Sequence, residues 1–414
     1  MSSRQFRAIW EITLQCNLAC AHCGSRAGKA RTNELNTDEA LDLVRQLAEV
    51  GIEEVALIGG EAYLRRDWLT IAAAIANSGM LCTMTTGGYG ISDNVARQMR
   101  EAGIYQCSVS IDGLEKTHDR LRGRNGSWQA CFETLERLNA VGILPTCNTQ
   151  INRLSAPEMP LVYSAIRDAG VKAWQIQLTV PMGNAADNWE ILLQPYELLD
   201  LYPMLAQLAT QARNDGIHLV AGNNIGYYGP YERLLRGGGE WTFWRGCHAG
   251  LNSLGIEADG AIKGCPSLPT IPYTGGNIRE KSLREIITQT EQLNFNMNAK
   301  TAEGTDHLWG FCQTCEYAKL CRGGCSWTAH TFFGRRGNNP YCHHRALKYD
   351  ENGQRERLVL KRRAEGLPFD YGEFEAVVEF VDARPQQHDE SAFSAAKILW
   401  EESDVPAVPR LISV

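Results

Sequence analysis

The chain has 414 residues, enough for two or three domains, and its 44% hydrophobic and 21% charged residues are typical of a globular protein. A net charge of −7 argues against nucleic acid as a partner, and we find neither a signal peptide nor an apolar run of membrane-spanning length. We therefore predict a cytoplasmic protein. In that reducing compartment, the fourteen cysteines indicate metal binding more than disulfides.

From residue 8 to about residue 220 one pattern recurs, in which a helical segment ends at a glycine and a strand-like apolar run follows. The first helix is predicted to have Thr37 as its N-cap, followed by an apolar stripe. A glycine just past a helix end takes a left-handed conformation without the steric cost of a Cβ. The junction glycines are Gly51, Gly79, Gly103, Gly142, Gly170 and Gly216.

Six strands are predicted in this region, which gives six βα units with parallel strands and right-handed crossovers. The strands cover residues 8–14, 55–58, 81–85, 105–111, 143–150 and 172–180. The pattern alone fits either a partial barrel or an open, doubly wound sheet.

Three cysteines follow the first predicted strand with the spacing C-x3-C-x2-C: Cys16, Cys20 and Cys23. They lie in a loop at the carboxyl end of the strand, where α/β proteins place their chemistry. Three thiolates can hold three irons of a [4Fe–4S] cluster and leave the fourth iron open to a ligand. The alternative is a zinc knuckle with His22 as its fourth ligand.

Two further motifs end later strands. Gly59-Gly60-Glu61 follows the second strand, where two glycines let the backbone approach a ligand and a glutamate can pair with an ammonium group. Ser110 and Asp112 end the fourth strand, where a hydroxyl and a carboxylate suit a ribose. The alternative for the serine and aspartate is a turn that closes the strand.

Residues 222–246 are rich in glycine and aromatic residues, and we predict a domain boundary there. The tract is interpreted as a connector whose aromatics pack on the barrel, with a wall of the substrate cavity as the alternative. Seven cysteines follow it, at Cys247, Cys265, Cys312, Cys315, Cys321, Cys325 and Cys342. Two zinc sites could use them, but two iron–sulfur clusters fit better, because thiolates are their usual ligands.

The remaining cysteines are interpreted as core residues: Cys82, Cys107, Cys131 and Cys147. Residues 345–363 are basic and predict a solvated helix. Residues 370–414 carry a net charge of −7 and hold one predicted half-buried strand near Phe374, Ala376, Val378 and Phe380. We expect partial disorder in the rest of this acidic tail, and contact with a partner.

Over residues 8–345 these motifs together resemble a radical S-adenosylmethionine enzyme with a SPASM domain. The resemblance implies a partial (βα)6 TIM-type barrel over residues 1–235, a small cysteine-rich SPASM domain over 236–350, and a charged helix with an acidic extension over 351–414. In this family a cluster electron cleaves S-adenosylmethionine into methionine and a 5′-deoxyadenosyl radical, which takes a hydrogen atom from the substrate.

The resemblance also implies roles for single residues. Cys16, Cys20 and Cys23 would hold the cluster that binds S-adenosylmethionine, with His22 by the adenine. Gly59, Gly60 and Glu61 would take the methionine ammonium, Ser110 and Asp112 the ribose, and Gln177 the adenosine. Cys247, Cys265 and Cys325 would hold the nearer auxiliary [4Fe–4S] cluster, and Cys312, Cys315, Cys321 and Cys342 the outer one. Three ligands are evident for the nearer cluster, so another residue completes it or one iron is open.

The sequence departs from the family pattern in three places. Thr85-Thr86-Gly87-Gly88 stands where the family often has Thr-Asn-Gly, which leaves the contact of the third strand open. Pro266 follows Cys265 where the sulfatase-maturing branch has an aspartate, which argues against formylglycine formation. The cluster loop begins at residue 16, so a leader-binding domain is expected to be absent or supplied by another chain.

We therefore expect an enzyme that modifies a peptide or protein by hydrogen abstraction with net oxidation, such as cross-link formation. Its expected partners are the substrate, a flavodoxin- or ferredoxin-type electron donor and a separate leader-binding protein, with neither nucleic acid nor membrane. One alternative is an enzyme for a small molecule or a peptide-derived cofactor precursor. Another is a non-catalytic iron–sulfur electron carrier. The sequence indicates no catalytic acid or base, no bond formed and no oligomeric state.

Overall fold

The computed structural model describes residues 6–237, 243–296 and 304–381. Most of the acidic tail, from residue 382 onward, lies outside these residues, as do Gly238, Gly239, Trp241 and Thr242 of the glycine-rich tract. Among the described residues no helix combines the length and the apolar character needed to cross a membrane.

The first part of the chain contains seven strands, all parallel to their neighbours. They are β1 Arg7–Thr13, β2 Glu54–Gly59, β3 Leu81–Thr86, β4 Ile104–Ser110, β5 Leu144–Ile151, β6 Ala173–Leu178 and β7 His218–Ala221. Six of them match the predicted strands, and β7 is a short addition that pairs with β6. The consecutive parallel order from β1 to β7 fits the partial barrel that the family resemblance implies.

Helices connect these strands and cover one face of the sheet. They are α1 Thr37–Glu49, α2 Trp68–Asn77, α3 Asp93–Glu101, α4 Glu115–Arg122, α5 Ser127–Ala140, α6 Met159–Asp168, α7 Asn184–Asp187, α8 Leu198–Asn214 and α9 Glu232–Leu235. Short 3-10 turns lie at Ala62–Leu64, Ala156–Glu158, Trp189–Ile191 and Pro195–Glu197. All six junction glycines have positive φ, between +73° and +86°, as predicted.

The N-cap of α1 is Asn36, one residue before the predicted Thr37. The Asn36 side chain accepts from the Glu39 amide at 3.0 Å, and the Glu39 carboxylate accepts from the Asn36 amide at 2.8 Å. This reciprocal capping box satisfies two backbone donors, whereas Thr37 donates its hydroxyl to Asp67. The prediction of Thr37 as N-cap was therefore wrong by one position.

The core lies between the sheet and these helices. Trp10 of β1 and Leu57 of β2 are fully buried there, opposite Leu43 and Leu47 of α1. Because side chains alternate along a strand, Glu11 and Ile58 face the other side of the sheet. The inner face of the barrel thus carries the buried carboxylate of Glu11 near the carboxyl end of β1.

The second part begins with β8 Ser253–Ile256, which pairs in parallel with β1. The sheet continues through β9 Ala261–Lys263 and β10 Thr274–Asn277, so one ten-stranded sheet runs in the order β10-β9-β8-β1-β2-β3-β4-β5-β6-β7. Short helices follow: α10 Thr270–Tyr273, α11 Leu283–Gln289, α12 Glu291–Asn294, α13 Phe311–Thr314, α14 Ala318–Cys321 and α15 Ser326–Phe333.

The C-terminal region differs from the predicted charged helix. Helix α16, His343–Glu351, ends before Gly353, and residues Gln354–Arg362 form strand β11. Strand β12, Glu373–Phe380, pairs with it in an antiparallel hairpin and confirms the predicted strand. The helix prediction failed from residue 354 because Leu358 and Leu360 pair with Ala376 and Phe374 across the hairpin, and that partner strand is distant in sequence.

Candidate active site

The loop that holds the three cysteines follows β1 directly, and backbone hydrogen bonds join its two ends. The amide of Cys16 donates to the carbonyl of Gly28 at 3.1 Å, and the amide of Gly28 donates to the carbonyl of Leu14 at 2.8 Å. Inside the loop, the amide of Leu18 lies 3.4 Å from Cys16 Sγ, and the amide of Ala27 lies 3.4 Å from Cys23 Sγ. Amides directed at sulfur favour a charged, metal-bound thiolate.

Glycine is required at positions 59 and 60, because the backbone there lies directly against this loop. A Cβ on Gly59, whose φ is +148°, would lie 2.1 Å from the carbonyl oxygen of Thr13. A Cβ on Gly60 would lie 2.1 Å from the carbonyl oxygen of Gln15 and 2.9 Å from Cys16 Cβ. The sequence motif and the cysteine loop are therefore in direct backbone contact.

Glu61 is buried next to this contact. Its carboxylate accepts from the amide of Gly87 at 2.6 Å and from the hydroxyl of Thr86. Burial raises the pKa of Glu61 to about 7, against the lowering effect of these two hydrogen bonds. A bound cation would stabilise the ionised form of this buried carboxylate, and an ammonium group is such a cation. The unusual Thr85-Thr86-Gly87-Gly88 turn thus serves to hold Glu61.

Asp112 is fully buried, and its carboxylate is already paired within the protein. One oxygen lies 2.8 Å from His22 Nε2 and 2.6 Å from a guanidinium nitrogen of Arg122, and the other accepts from the amide of Gln150 at 2.8 Å. Burial alone would raise its pKa, but Arg122 and His22 hold the pKa of Asp112 well below its usual range. The structure therefore places Asp112 in an internal cluster with His22 and Arg122, and its contact with a ribose stays a prediction.

His22 lies in the same cluster of charges, between the second and third cysteines in sequence. It is buried, and its Nδ1 atom has no hydrogen-bond partner among the described residues. One ring nitrogen is thus fixed by Asp112 while the other is left for a bound group. Ser110 and Gln177 are half-buried at the carboxyl ends of β4 and β6.

Arg122 lies at the candidate site, although the sequence did not predict it there. Its guanidinium lies 3.7 Å from Cys20 Sγ and also binds Asp112. The end of α4 is docked on the cysteine loop, because the amide of Ala19 donates to the carbonyl of Arg122 at 3.1 Å. The sequence signal that could have identified this residue is Gly123, which ends α4 with φ +62° directly against the loop.

The thiols of the second part form two groups. Burial raises the pKa of Cys325 to about 12, and the thiols of Cys247 and Cys265 lie close enough to raise it further. Burial likewise raises the pKa of Cys342, with further contributions from Cys312 and Cys315. Because such thiols stay protonated at neutral pH, a bound metal would have to supply the positive charge that ionises them.

Four cysteines of the second group face one cavity, with about 300 Å³ of space that includes its opening to solvent. Cys312, Cys315, Cys321 and Cys342 all lie in its wall, together with Tyr227, Tyr228, Phe311, Tyr317 and His344. Four convergent thiols in a largely apolar cavity fit an iron–sulfur cluster. Across the described ranges, no three His, Cys, Asp or Glu side chains gather around the position of a single metal ion.

The aromatics of the glycine-rich tract pack on these cysteines. Tyr227 and Trp244 are in edge-to-face contact and share an apolar cluster with Cys325 and Cys342. Tyr228 stacks on Tyr317 with ring centroids 4.2 Å apart. Tyr227, Tyr228 and Trp244 thus shield the cysteine-rich part, whereas Tyr231 packs against the main core, so the expected packing on the barrel holds only in part.

The four other cysteines belong to the barrel core, as predicted. Cys82, Cys107 and Cys147 lie on strands and Cys131 on α5, and all four are buried.

Sequence comparison now identifies the two parts. The profile of the radical SAM superfamily matches residues 10–152, and that of the SPASM iron-sulfur cluster-binding domain matches residues 247–316. The chain is a radical SAM enzyme with a SPASM domain. It binds S-adenosylmethionine and iron–sulfur clusters, and the alternative of a non-catalytic electron carrier is therefore set aside.

This radical SAM enzyme has relatives with different substrates. It is 28% identical over 360 residues to the AdoMet-dependent heme synthase of Methanosarcina barkeri, covering 82% of this chain and 96% of the relative. It is 26% identical to the PqqA peptide cyclase of Rhizobium meliloti, covering 85% and 88%. Among solved structures, Streptococcus suis SuiB bound to its precursor peptide SuiA has a TM-score of 0.62 at 16% identity, covering 82% and 76%.

Proposed function

We propose that this enzyme oxidises a peptide by radical hydrogen abstraction and carries three [4Fe–4S] clusters. The observation that supports three clusters is the arrangement of ten thiols in three separate groups. Cys16, Cys20 and Cys23 form the first, Cys247, Cys265 and Cys325 the second, and Cys312, Cys315, Cys321 and Cys342 the third. When bound, the clusters supply electron transfer, which includes the cleavage of S-adenosylmethionine.

The protein's own residues position the reactants. Gly59 and Gly60 let the backbone of β2 reach the cysteine loop, and Glu61 presents a buried carboxylate to the methionine ammonium. Ser110 and Gln177 stand at the strand ends where the ribose and adenosine would lie, with His22 by the adenine. Asp112 acts through His22 and Arg122 and holds both in place.

A peptide substrate is supported by the related PqqA peptide cyclase and by the shared fold of SuiB, which was solved with a precursor peptide. Net oxidation of that peptide, as in cross-link formation, would send the second electron to an auxiliary cluster. We propose a flavodoxin- or ferredoxin-type donor for the first electron, and a separate protein that binds the leader of the peptide.

A second candidate substrate is an iron porphyrin. It is favoured by the heme synthase of M. barkeri, which matches over nearly its whole length, and by a related Fe-coproporphyrin III synthase. The peptide reaction and the porphyrin reaction would use the same S-adenosylmethionine site. The two proposals therefore differ only in the substrate that binds beside it.

The test is anaerobic reconstitution with iron, sulfide, dithionite and S-adenosylmethionine. Formation of 5′-deoxyadenosine is expected, and its absence would contradict the radical reaction. Mass spectrometry of peptides encoded beside the gene, in parallel with iron coproporphyrin III, decides the substrate. Loss of two hydrogens from a peptide supports our proposal, and turnover of the porphyrin alone supports the second candidate.

A further inference from the structure

The connection between β11 and β12, residues 363–372, reaches back to the three-cysteine loop, and we name it the clasp. The amide of Phe369 donates to the carbonyl of Gly24 at 3.2 Å. The amide of Gly183, beyond β6, donates to the carbonyl of Asp370 at 2.8 Å, and Tyr371 forms an antiparallel bridge with Met182. The clasp therefore touches the residue directly after Cys23 and the carboxyl end of the barrel.

Arg26 joins the clasp to the barrel. Its Nε donates to Asp370 at 3.0 Å and to the carbonyl of Leu367 at 3.1 Å. On its other side, its guanidinium donates to Asn184 at 3.1 Å and to Asp187 at 3.2 Å. A guanidinium bound on both sides fixes the backbone only three residues after Cys23.

Two residues at this contact have backbone conformations that disfavour a side chain. Arg26 has φ +51° and Phe369 has φ +57°, both in the left-handed region. Such conformations are costly for residues with a Cβ and persist where surrounding contacts impose them. A hairpin needs only two to five residues to turn. The extra length of the clasp is therefore explained by its contacts with the cysteine loop and the barrel, not by the turn.

The clasp also contacts the SPASM part. The Phe369 ring is buried over Lys263, whose Nζ lies 4.1 Å from the ring centroid, two residues before Cys265. The Tyr371 hydroxyl lies 3.0 Å from His330 Nε2 on α15. The clasp thus spans the space between the first cysteine loop and the nearer auxiliary cysteines.

We propose that the clasp is part of the reaction site and that Asp370 is a positioning residue, which holds the S-adenosylmethionine cluster loop through Arg26. Both matched family regions end before the clasp, at residues 152 and 316. The proposal rests on the proposed function, because it assigns the cysteine loop to S-adenosylmethionine. Its consequence is that the C-terminal hairpin controls the affinity of a site more than 300 residues away in sequence.

The test is Asp370→Asn in the full-length enzyme, with Asp168→Asn as the matched control. The control removes an exposed carboxylate that pairs with Arg167 at the end of α6 and makes no contact with Arg26. Loss of a charge-assisted hydrogen bond should make trypsin cut after Arg362 or Arg363 about tenfold faster in the metal-free protein. In the reconstituted enzyme, Asp370→Asn should weaken S-adenosylmethionine binding about tenfold, measured by its effect on the cluster's EPR signal.

The control should match the wild type in both measurements, and Asp370→Glu should recover part of the affinity. If Asp370→Asn behaves as the wild type, or if both variants are weakened equally, the proposal is wrong. Arg26→Lys replaces Asp370→Asn should that variant not fold, with the same criteria. If the wild type forms no 5′-deoxyadenosine, the proposed function fails, while the trypsin comparison still decides whether Asp370 holds the clasp.

Discussion

Glu11 lies on the inner face of β1 in a buried group of charges. Arg31 lies 3.5 Å from the Glu11 carboxylate and 3.0 Å from that of Glu257, which pairs with Lys263 at 2.8 Å. Burial raises the pKa of Glu11 to about 8, and Arg31 only partly opposes this effect. Glu11 is therefore largely protonated at neutral pH in the folded protein.

This shift predicts a specific pH dependence of stability. Because the folded state keeps a proton that the unfolded state has lost, Glu11 favours folding below pH 4.5, and this contribution is lost as the pH rises to about 8. In the wild type, Glu11 should make the free energy of unfolding fall by about 1.4 kcal/mol per pH unit between these values, and Glu11→Gln should remove this fall. Urea unfolding of the metal-free protein at pH 5.5 to 8.5 measures the free energy of unfolding.

The matched control is Glu375→Gln, an exposed carboxylate paired with Lys361, which should leave the pH profile unchanged. An identical profile for Glu11→Gln and the wild type would contradict the assignment.

Arg122 gives a second prediction at this scale. Replacing it with methionine removes a positive charge beside Cys20 and leaves Asp112 short of a partner. The reduction potential of the first cluster should fall by about 60 mV, a tenfold change for a one-electron couple, because the reduced cluster loses electrostatic support. EPR-monitored redox titration measures it.

Arg122→Lys is the control, since it keeps the charge and should retain most of the potential. An unchanged potential in Arg122→Met with the cluster intact would show that Arg122 has no influence on it.

At the scale of elements, the turn after β2 and the loop after β1 form one unit, joined by the hydrogen bonds of Gly60 to Thr13 and of Glu61 to Gln15. The sequence predicted both strands and both motifs, because glycine and cysteine spacings are local signals. It could not reveal that Asp112 is neutralised by Arg122, since that pair depends on how α4 docks. It also missed β11, whose partner strand follows only after a ten-residue connection.

This unit predicts the effect of Gly60→Ala. The new Cβ would overlap the carbonyl oxygen of Gln15, so the turn must move away from the cysteine loop. A displacement of about 1 Å should lower 5′-deoxyadenosine formation about 100-fold, measured by chromatography.

The control is Gly79→Ala, which has φ +80° but open space around the added Cβ. It should cost about 1–2 kcal/mol of stability with little change in turnover. Equal activity in the two variants would mean that the approach of Gly60 is not required.

At the scale of the molecule, the three groups of thiols predict the iron content. The reconstituted wild type should hold about twelve irons per chain, in three clusters. Replacing Cys247 and Cys265 with alanine, or Cys312 and Cys315, should each lower this to about eight irons. Iron analysis with Mössbauer spectroscopy checks both variants, and a wild type with about four irons would refute the three-cluster assignment.

The pairing of β8 with β1 gives the two halves of the enzyme a shared scaffold. Residues Arg7 to Trp10 lie in register with Ser253 to Ile256, so the SPASM part is attached to the barrel by a ladder of backbone hydrogen bonds. Such a ladder fixes the register of the SPASM part along β1. It also protects the edge of β1, which a barrel expressed alone would expose to aggregation. The barrel and the SPASM part are consequently expected to unfold in one cooperative transition rather than separately.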